Sequence, residues 1–279
     1  MRRKGPKRRE RAESISQVRG IVTLTTDFGT RDAYAGALKG VLLMTASSLQ
    51  LVDLSQDIPP GDVLAGAYLL HHAAFEFPLD TVHLAVVDPG VGSSRRPLVV
   101  DAGGYRWVGP DNGLFSFALG LPGARAFRIT HPDLRREPVS ATFHGRDVFA
   151  PAAAHLAIGF PVEDVGPEID DPLRLASTQT VTSDSRIEGA VIHVDHFGNA
   201  ISCIGAPDLT ALGDPSQLRV VAGSAALDGI VRTYADVEPG AAAALVGSGG
   251  LLEIVVRDGS AAAEIGLQRG DTVTVEPCR

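Results

Sequence analysis

Three carboxylates of this chain fall where a strand-like run gives way to a turn: Asp27, Asp53 and Asp88. In an open parallel sheet, ligands bind beyond the carboxyl ends of the strands, so such positions can set an acid or a base against a substrate. Asp27 and Asp88 are each followed by a glycine-containing turn, which lets a ligand come close to the backbone. The plainer role for each is to cap its own turn through nearby amides, and nothing lifts Asp53 above that role. Asp88 has more around it. In the run DPGVGSSRR, Arg95 stands seven residues further on across a glycine loop. Folded back, its guanidinium could hold the carboxylate in a fixed fork. Phe143-His144-Gly145-Arg146-Asp147 sets an imidazole, a guanidinium and a carboxylate beside an aromatic ring. That imidazole could act as a general base, or it could be a satisfied structural histidine at a helix start. His71-His72, in an Ala/Leu-rich stretch, reads as a helix face. There is no HExxH motif, no P-loop lysine motif and no GxSxG elbow. Gly247-Ser248-Gly249-Gly250 does not form a dinucleotide fingerprint, and metal catalysis has no positive support.

Positioning these groups requires a scaffold, and its elements can be read from the chain. The β-rich run 21–26 ends at Asp27, residues 34–46 carry apolar positions at helical spacing, and 49–54 is a short strand. Asp62 can cap a helix over 63–75. Residues 81–87 form a further strand that delivers Asp88. Strands alternating with helices predict βαβ units and a mainly parallel sheet. Residues 97–101 and 105–108, separated by Gly103-Gly104, read as a hairpin. A strand over 127–130 and an Ala-rich helix over 148–158 follow. Residues 170–186 are polar and irregular, the best linker. Beyond it come short strands at 189–194, 200–204, 218–222, 230–234, 251–256 and 272–275, with no long helical pattern between them, which predicts a small antiparallel barrel-like domain. The expected organisation is a tail over 1–19, an α/β domain over 20–169, a linker over 170–186 and a smaller all-β domain over 187–279.

Composition narrows the function. The net charge of −8 conceals an asymmetry. Residues 1–19 hold eight Arg or Lys against Glu10 and Glu13, a net of +6, which leaves −14 on the rest. A body that acidic repels phosphate backbones, so nucleic-acid binding by the globular part is not expected. The basic head reads as a disordered extension. It has no apolar stretch after its charges, unlike a secretory signal, and no run is long and apolar enough for a transmembrane helix. The only cysteines, Cys203 and Cys278, lie far apart without CxxC spacing, which fits a reducing cytoplasm.

Five motifs in order carry a resemblance: Thr25-Thr26-Asp27-Phe28-Gly29-Thr30, Val87-Asp88-Pro89-Gly90-Val91-Gly92, Gly109-Pro110-Asp111-Asn112-Gly113, Phe143-His144-Gly145-Arg146-Asp147 and Asp195-His196-Phe197-Gly198-Asn199. Together they resemble the S-adenosylmethionine (SAM) hydroxide adenosyltransferases, over roughly residues 20–276. The resemblance implies an enzyme that hydrolyses SAM to adenosine and L-methionine by attack of water on the ribose 5′-carbon. SAM is then the substrate, and no cofactor is implied. The family's water-handling Asp, Arg and His match Asp88, Arg95 and His144, with Arg96 as the alternative arginine. Its ribose-binding Asp matches Asp27, its partners for the methionine amine match Asp32 and Asp195, its adenine-contacting Asn matches Asn199, and a serine near the methionine carboxylate matches Ser248.

Two other functions compete. Related SAM halogenases carry a non-acidic residue at Asp88, a Ser beside a Tyr at His144-Gly145, and an insertion near 101–107 that is missing here; the fluorinating enzyme has a Trp where Gly61 falls. A carboxylate beside the nucleophile would repel halide. A non-catalytic SAM or adenosine sensor is the other alternative. The chain departs from the halogenating branch at Gly249, which replaces an Arg that grips the methionine carboxylate. Family members form trimers with SAM held between the first domain of one subunit and the second domain of the next, so a homotrimer is expected. Exposed strand edges in an all-β domain would add a reason to associate.

Overall fold

The computed structural model describes residues 20–175, 180–183 and 185–278. The basic segment 1–19 and part of the expected linker lie outside the described residues. The chain forms two compact units that divide between Arg174 and Leu175.

In the first unit the order is β1 (Ile21–Thr26), α1 (Tyr34–Thr45), β2 (Gln50–Ser55), α2 (Val63–Ala74), β3 (Val82–Val86), β4 (Pro97–Ala102), β5 (Tyr105–Pro110), β6 (Arg125–Arg128), α3 (Ala150–Ala157) and β7 (Glu168–Ile169). Asp62 caps α2 by accepting from the Ala65 amide at 2.9 Å. The seven strands make one sheet in the order β2-β1-β3-β5-β4-β6-β7. It is a mixed sheet, which corrects the expectation of a mainly parallel one. β1–β2, β1–β3 and β3–β5 are parallel, whereas β4–β5, β4–β6 and β6–β7 are antiparallel. The cause is the hairpin at Gly103-Gly104: a two-residue connection can only return the chain antiparallel, while parallel pairing needs a long crossover. β1 and β3 are buried on both faces, as parallel strands covered by helices are. Leu38 and Leu42 of α1 and Ala152 and Ala153 of α3 close over Val22, Leu24 and Leu84 in one core.

The second unit runs β8 (Val181–Ser183), β9 (Arg186–Val194), β10 (Ala200–Gly205), α4 (Ala206–Leu212), β11 (Leu218–Ala222), β12 (Ala225–Asp228), β13 (Ile230–Val231), β14 (Ala242–Val246), β15 (Leu251–Val256), α5 (Ala261–Glu264) and β16 (Thr272–Pro277). Its sheet follows β12-β11-β16-β9-β10-β15-β14-β13, with β8 added beside β9. All pairs are antiparallel except β13–β14. The two end strands of this path, β12 and β13, are consecutive in the chain and joined only by Gly229, whose φ is +81°. The sheet therefore curls round almost into a barrel, and β12 packs against β14. Its interior holds Ile187, Val191, Leu218, Leu252 and Ile254.

Candidate active site

β3 delivers its chain end to the carboxyl edge of the parallel strands, and Asp88 follows two residues later. The loop that returns from it is tightly bonded: the Val91 amide donates to the Asp88 carbonyl at 3.2 Å, and Ser93 Oγ donates to the Gly90 carbonyl at 2.6 Å. Gly92 has φ +77°, and a Cβ there would lie 2.5 Å from the Ala141 carbonyl. Only glycine lets this loop pack so closely on the segment leading to His144.

The loop folds Arg95 back onto Asp88. Arg95 Nε donates to Asp88 Oδ1 at 2.9 Å and to Oδ2 at 3.1 Å, and Nη2 also binds Oδ2. The same Nη2 reaches His144 Nδ1 at 2.7 Å. The Asp88 and Arg95 side chains are 6% and 8% exposed, so the pair is largely desolvated. Arg95 also lies over the Phe149 ring, 5.0 Å from its centroid. A guanidinium only donates, so His144 Nδ1 must accept. The neutral imidazole then carries its proton on Nε2. Burial, and next the Arg95 charge, hold the His144 pKa below its ordinary 6.5, against weaker opposing pulls from Asp88 and Asp147.

His144 stands just before a π-helical turn, Gly145–Phe149, that runs into α3. Such turns are rare and cluster at functional sites. Asp147 is 1% exposed and knits this turn to its surroundings. It accepts from Arg146 Nε and Nη2, each at 2.8 Å, and from the Ser140 amide at 2.9 Å. Of the polar groups in this motif, only His144 turns to the Asp88 cluster.

Asp27, Asp88 and His144 line one cavity of about 120 Å³, together with Phe28, Gly61 and Phe143. Asp27 Oδ2 accepts from the Gly61 amide at 2.8 Å. Phe28, Tyr34 and Phe143 pack edge-on or tilted, with centroids 5.4–6.2 Å apart. A larger hollow of about 850 Å³ lies at the other ends of β1 and β3, beside Ile21, Thr81 and Arg106. That is the amino edge of the parallel strands, away from where such sheets bind ligands, and no candidate residue lines it.

The remaining expectations divide. Arg96 does not share Arg95's partners. Its Nε donates to Asp111 Oδ2 at 2.7 Å and its Nη1 to Asp171 Oδ1 at 2.6 Å. Asn112 donates to the Val87 carbonyl at 2.8 Å. The PDNG motif thus braces the Asp88 loop from behind. Asp53 pairs with Lys39 at 2.6 Å and accepts from Gln56 at 2.9 Å. Asp32 is exposed on the bend before α1 and does not line the cavity. His71 stacks on Phe117 at 4.9 Å, and His72 on Tyr68 at 5.9 Å.

In the second unit, Asp195 organises the turn that carries Asn199. Its Oδ1 accepts from the amides of Phe197 and Asn199, each at 2.9 Å, and its Oδ2 accepts from Asn199 Nδ2 at 2.9 Å. Asn199 is 5% exposed, whereas Phe197 between them is 75% exposed. Gly198 is obligatory here: φ is +86°, and a Cβ would meet Ser260 Oγ at 2.0 Å. Ser248 is exposed in the turn joining β14 to β15. The sequence reading passed over Glu253, a 9% exposed acid in β15. Its signal was there, a single acid inside the apolar run LLEIVV.

Comparison with known proteins identifies the family. The family model of the SAM hydroxide adenosyltransferase N-terminal domain matches residues 22–166, and that of the C-terminal domain matches 189–274. An (R)-S-adenosyl-L-methionine hydrolase of Thermus thermophilus is 42% identical over 257 residues, covering 89% of this chain and 96% of the relative. A fluorinase of Nocardia brasiliensis is more distant, 28% identical over 92% of this chain and 97% of its own. A crystal structure of an uncharacterized conserved protein from Thermotoga maritima superposes with a TM-score of 0.85 at 32% identity, covering 93% of this chain and all of the other. The chain belongs to the SAM hydroxide adenosyltransferase family.

Proposed function

We propose that this chain hydrolyses SAM, with water attacking the ribose C5′ to give adenosine and L-methionine. One observation carries the reading: the buried Asp88–Arg95 pair, joined by hydrogen bonding to His144, opens on the cavity that Asp27 also lines. In the reaction the water oxygen bonds to C5′ while the C5′–S bond breaks. The bonding pair goes to sulfur, which turns from a cationic sulfonium into a neutral thioether. The leaving group needs no proton, and the chemistry draws on no cofactor. The enzyme's tasks are to aim the water and take its proton, and aiming is the larger of them.

Asp88 is the proton acceptor in this reading. His144 Nδ1 is engaged by Arg95 and its Nε2 already bears a hydrogen, so the imidazole orients the water by donating to it. Asp88 keeps about one acceptor position beyond those Arg95 occupies. The single carboxylate of Asp27 suits the paired hydroxyls of a ribose. In the second unit, Asn199 Nδ2 is held by Asp195, which leaves its Oδ1 to accept from adenine's amino group. Asp32, Asp195 and Ser248 are assigned to the methionine end.

The proposal includes a homotrimer in the cytoplasm. The family resemblance and the division of the candidate residues between two units support the first, and the free thiols of Cys203 and Cys278 fit the second. Among the described residues, no helix is long and apolar enough to cross a membrane. β12 and β13 stay unpaired with each other, and β8 pairs on one side only, so strand edges remain that association could cover. Solution mass measurement is expected to give three copies. Mixing inactive Asp88→Ala and Asn199→Ala proteins after mild dissociation is expected to restore part of the activity.

The reaction is tested by incubating SAM in oxygen-18 water. The label is expected in the 5′-hydroxyl of adenosine, and no 5′-halo nucleoside is expected from added chloride or fluoride. Unlabelled adenosine would rule the reading out.

A further inference from the structure

Glu253 has no part in the reading above, yet its position is unusual. It lies mid-strand in β15, opposite Ile201 of β10 and Leu245 of β14. Its neighbours Leu252 and Ile254 enter the main core. Glu253 faces the other side of the sheet with Val255, where Ala243, Leu245 and Val255 form a small apolar cluster. The residue is more than nine-tenths buried. Buried acids ordinarily recruit a basic partner. Among the described residues, no hydrogen bond or ion pair is formed by this carboxylate. The titratable groups that face it are Asp195, a second acid, and Tyr234, whose hydroxyl responds to both carboxylates. Burial and then Asp195 push the Glu253 carboxyl up.

The surroundings aim this group at the residues assigned to substrate. A Cβ on Gly247 would lie 1.7 Å from Glu253 Oε1, so the turn carrying Ser248 rests its backbone directly on the carboxylate. On the opposite side Ile201, its partner across β10, is two residues from Asn199. The Ser248 turn and the Asp195–Asn199 turn therefore converge on one side chain.

Counting acceptors identifies what this arrangement lacks. An ammonium has three N–H donors, and a carboxylate has about four acceptor positions. Asp195 already uses three of its own on Phe197 and Asn199. That leaves it about one position for an ammonium, and Asp32, the other acid assigned to the amine, belongs to the first unit, so the second unit is short of acceptors without a further one. Glu253 has none committed. Two acids without a counter-cation suit a cationic ligand. We propose that Glu253 is a substrate-binding residue that holds the α-ammonium of SAM together with Asp195. This rests on the SAM reading and assigns the part of the substrate that the second unit selects. Gly247 is then glycine because any side chain would displace the binding carboxylate.

The test is Glu253→Gln, which keeps the shape and removes the charge. Binding is measured by calorimetry for SAM and for an analogue with hydrogen in place of the α-ammonium. The variant is expected to weaken SAM binding by about 10-fold or more, the loss of a charge-assisted contact, while the analogue changes by less than about 2-fold. Turnover at saturating SAM should stay within about 3-fold of wild type, so KM moves and kcat does not. Gly247→Ala, which crowds the same carboxylate, should reproduce the ligand-selective loss. Equal losses for both ligands, or no loss for either, would overturn the proposal and make Glu253 structural. Wild-type protein that binds SAM but releases no adenosine would overturn the hydrolase reading while leaving the ligand-selective comparison readable. Wild-type protein that does not bind SAM overturns both.

Discussion

The two units treat buried charge in opposite ways. Around Asp88 the charges balance: the guanidinium of Arg95 faces the carboxylate and also reaches the neutral imidazole of His144, with its buried Nη1 alone lacking a partner among the described residues. Around Glu253 two carboxylates stand without a cation among the described residues. The difference reflects what each cluster is for. A group that must aim a neutral water gains from being balanced and rigid before the water arrives. A group that must select a cation gains from being left unbalanced, because the ligand then supplies the missing charge. A charge-balanced cluster is a tool, and an unbalanced one is a receptor.

The largest expected effect breaks the balanced cluster. Asp88→Ala should cut turnover by roughly 10²–10⁴-fold, the span of proton-transfer catalysis, with SAM affinity nearly unchanged by calorimetry. Near-normal turnover would remove Asp88 from the chemistry. Arg95→Ala should do at least as much and also lower stability by about 3–5 kcal/mol, because it strands a buried carboxylate. Arg96→Ala makes the matching control. Arg96 holds Asp111 and Asp171 instead, so its loss should cost stability more than rate, as thermal melting and steady-state kinetics would read.

Smaller but sharper is the pH profile. Burial and Arg95 keep His144 neutral below its ordinary 6.5. Turnover should stay flat from pH 7.5 through 6.5 and fall only below that, as a second cation forms beside Arg95. The stability that comes from folding a neutral His144 is present above about 6.5 and is lost as pH falls from there towards the folded value. His144→Asn, which keeps an acceptor for Arg95 but cannot titrate, should lack the acid limb in whatever turnover remains.

The smallest effect belongs to the unbalanced cluster. With its pKa raised, Glu253 stabilises the fold in its protonated form. That contribution is complete below about 4.5 and is lost as pH rises through the folded value. Without ligand, Glu253→Gln should therefore melt higher than wild type at pH 7.5, by roughly 2 °C, and no higher at pH 4. A lower melting point at pH 7.5 would mean that the charge has a partner.

The sequence made some of this legible and hid the rest for physical reasons. Strands at 21–26 and 251–256 announce themselves through β-branched and apolar runs, and the Asp88–Arg95 pairing can be guessed because both ends lie within one short loop. The brace through Asp111 and the contact of Gly92 with Ala141 cannot be guessed, since they join segments far apart in the chain. β14 reads AAALV, and alanine is a weak strand former, so its role shows only once β15 pairs with it. The antiparallel half of the first sheet followed from a hairpin that was visible, but the alternation of strands and helices outweighed it. Glu253 was visible and passed over because a lone acid in an apolar strand fits no motif.

Gly229 has a consequence of another kind. A sheet of this length would normally end in two ribbons of unpaired amides and carbonyls, each a template on which a foreign strand can grow into an aggregate. Here the end strands are neighbours in the chain, and a single residue at φ +81° turns one into the other. A side chain at Gly229 would strain this corner and is expected to splay the two end strands apart, so its first sign should be aggregation rather than slower chemistry.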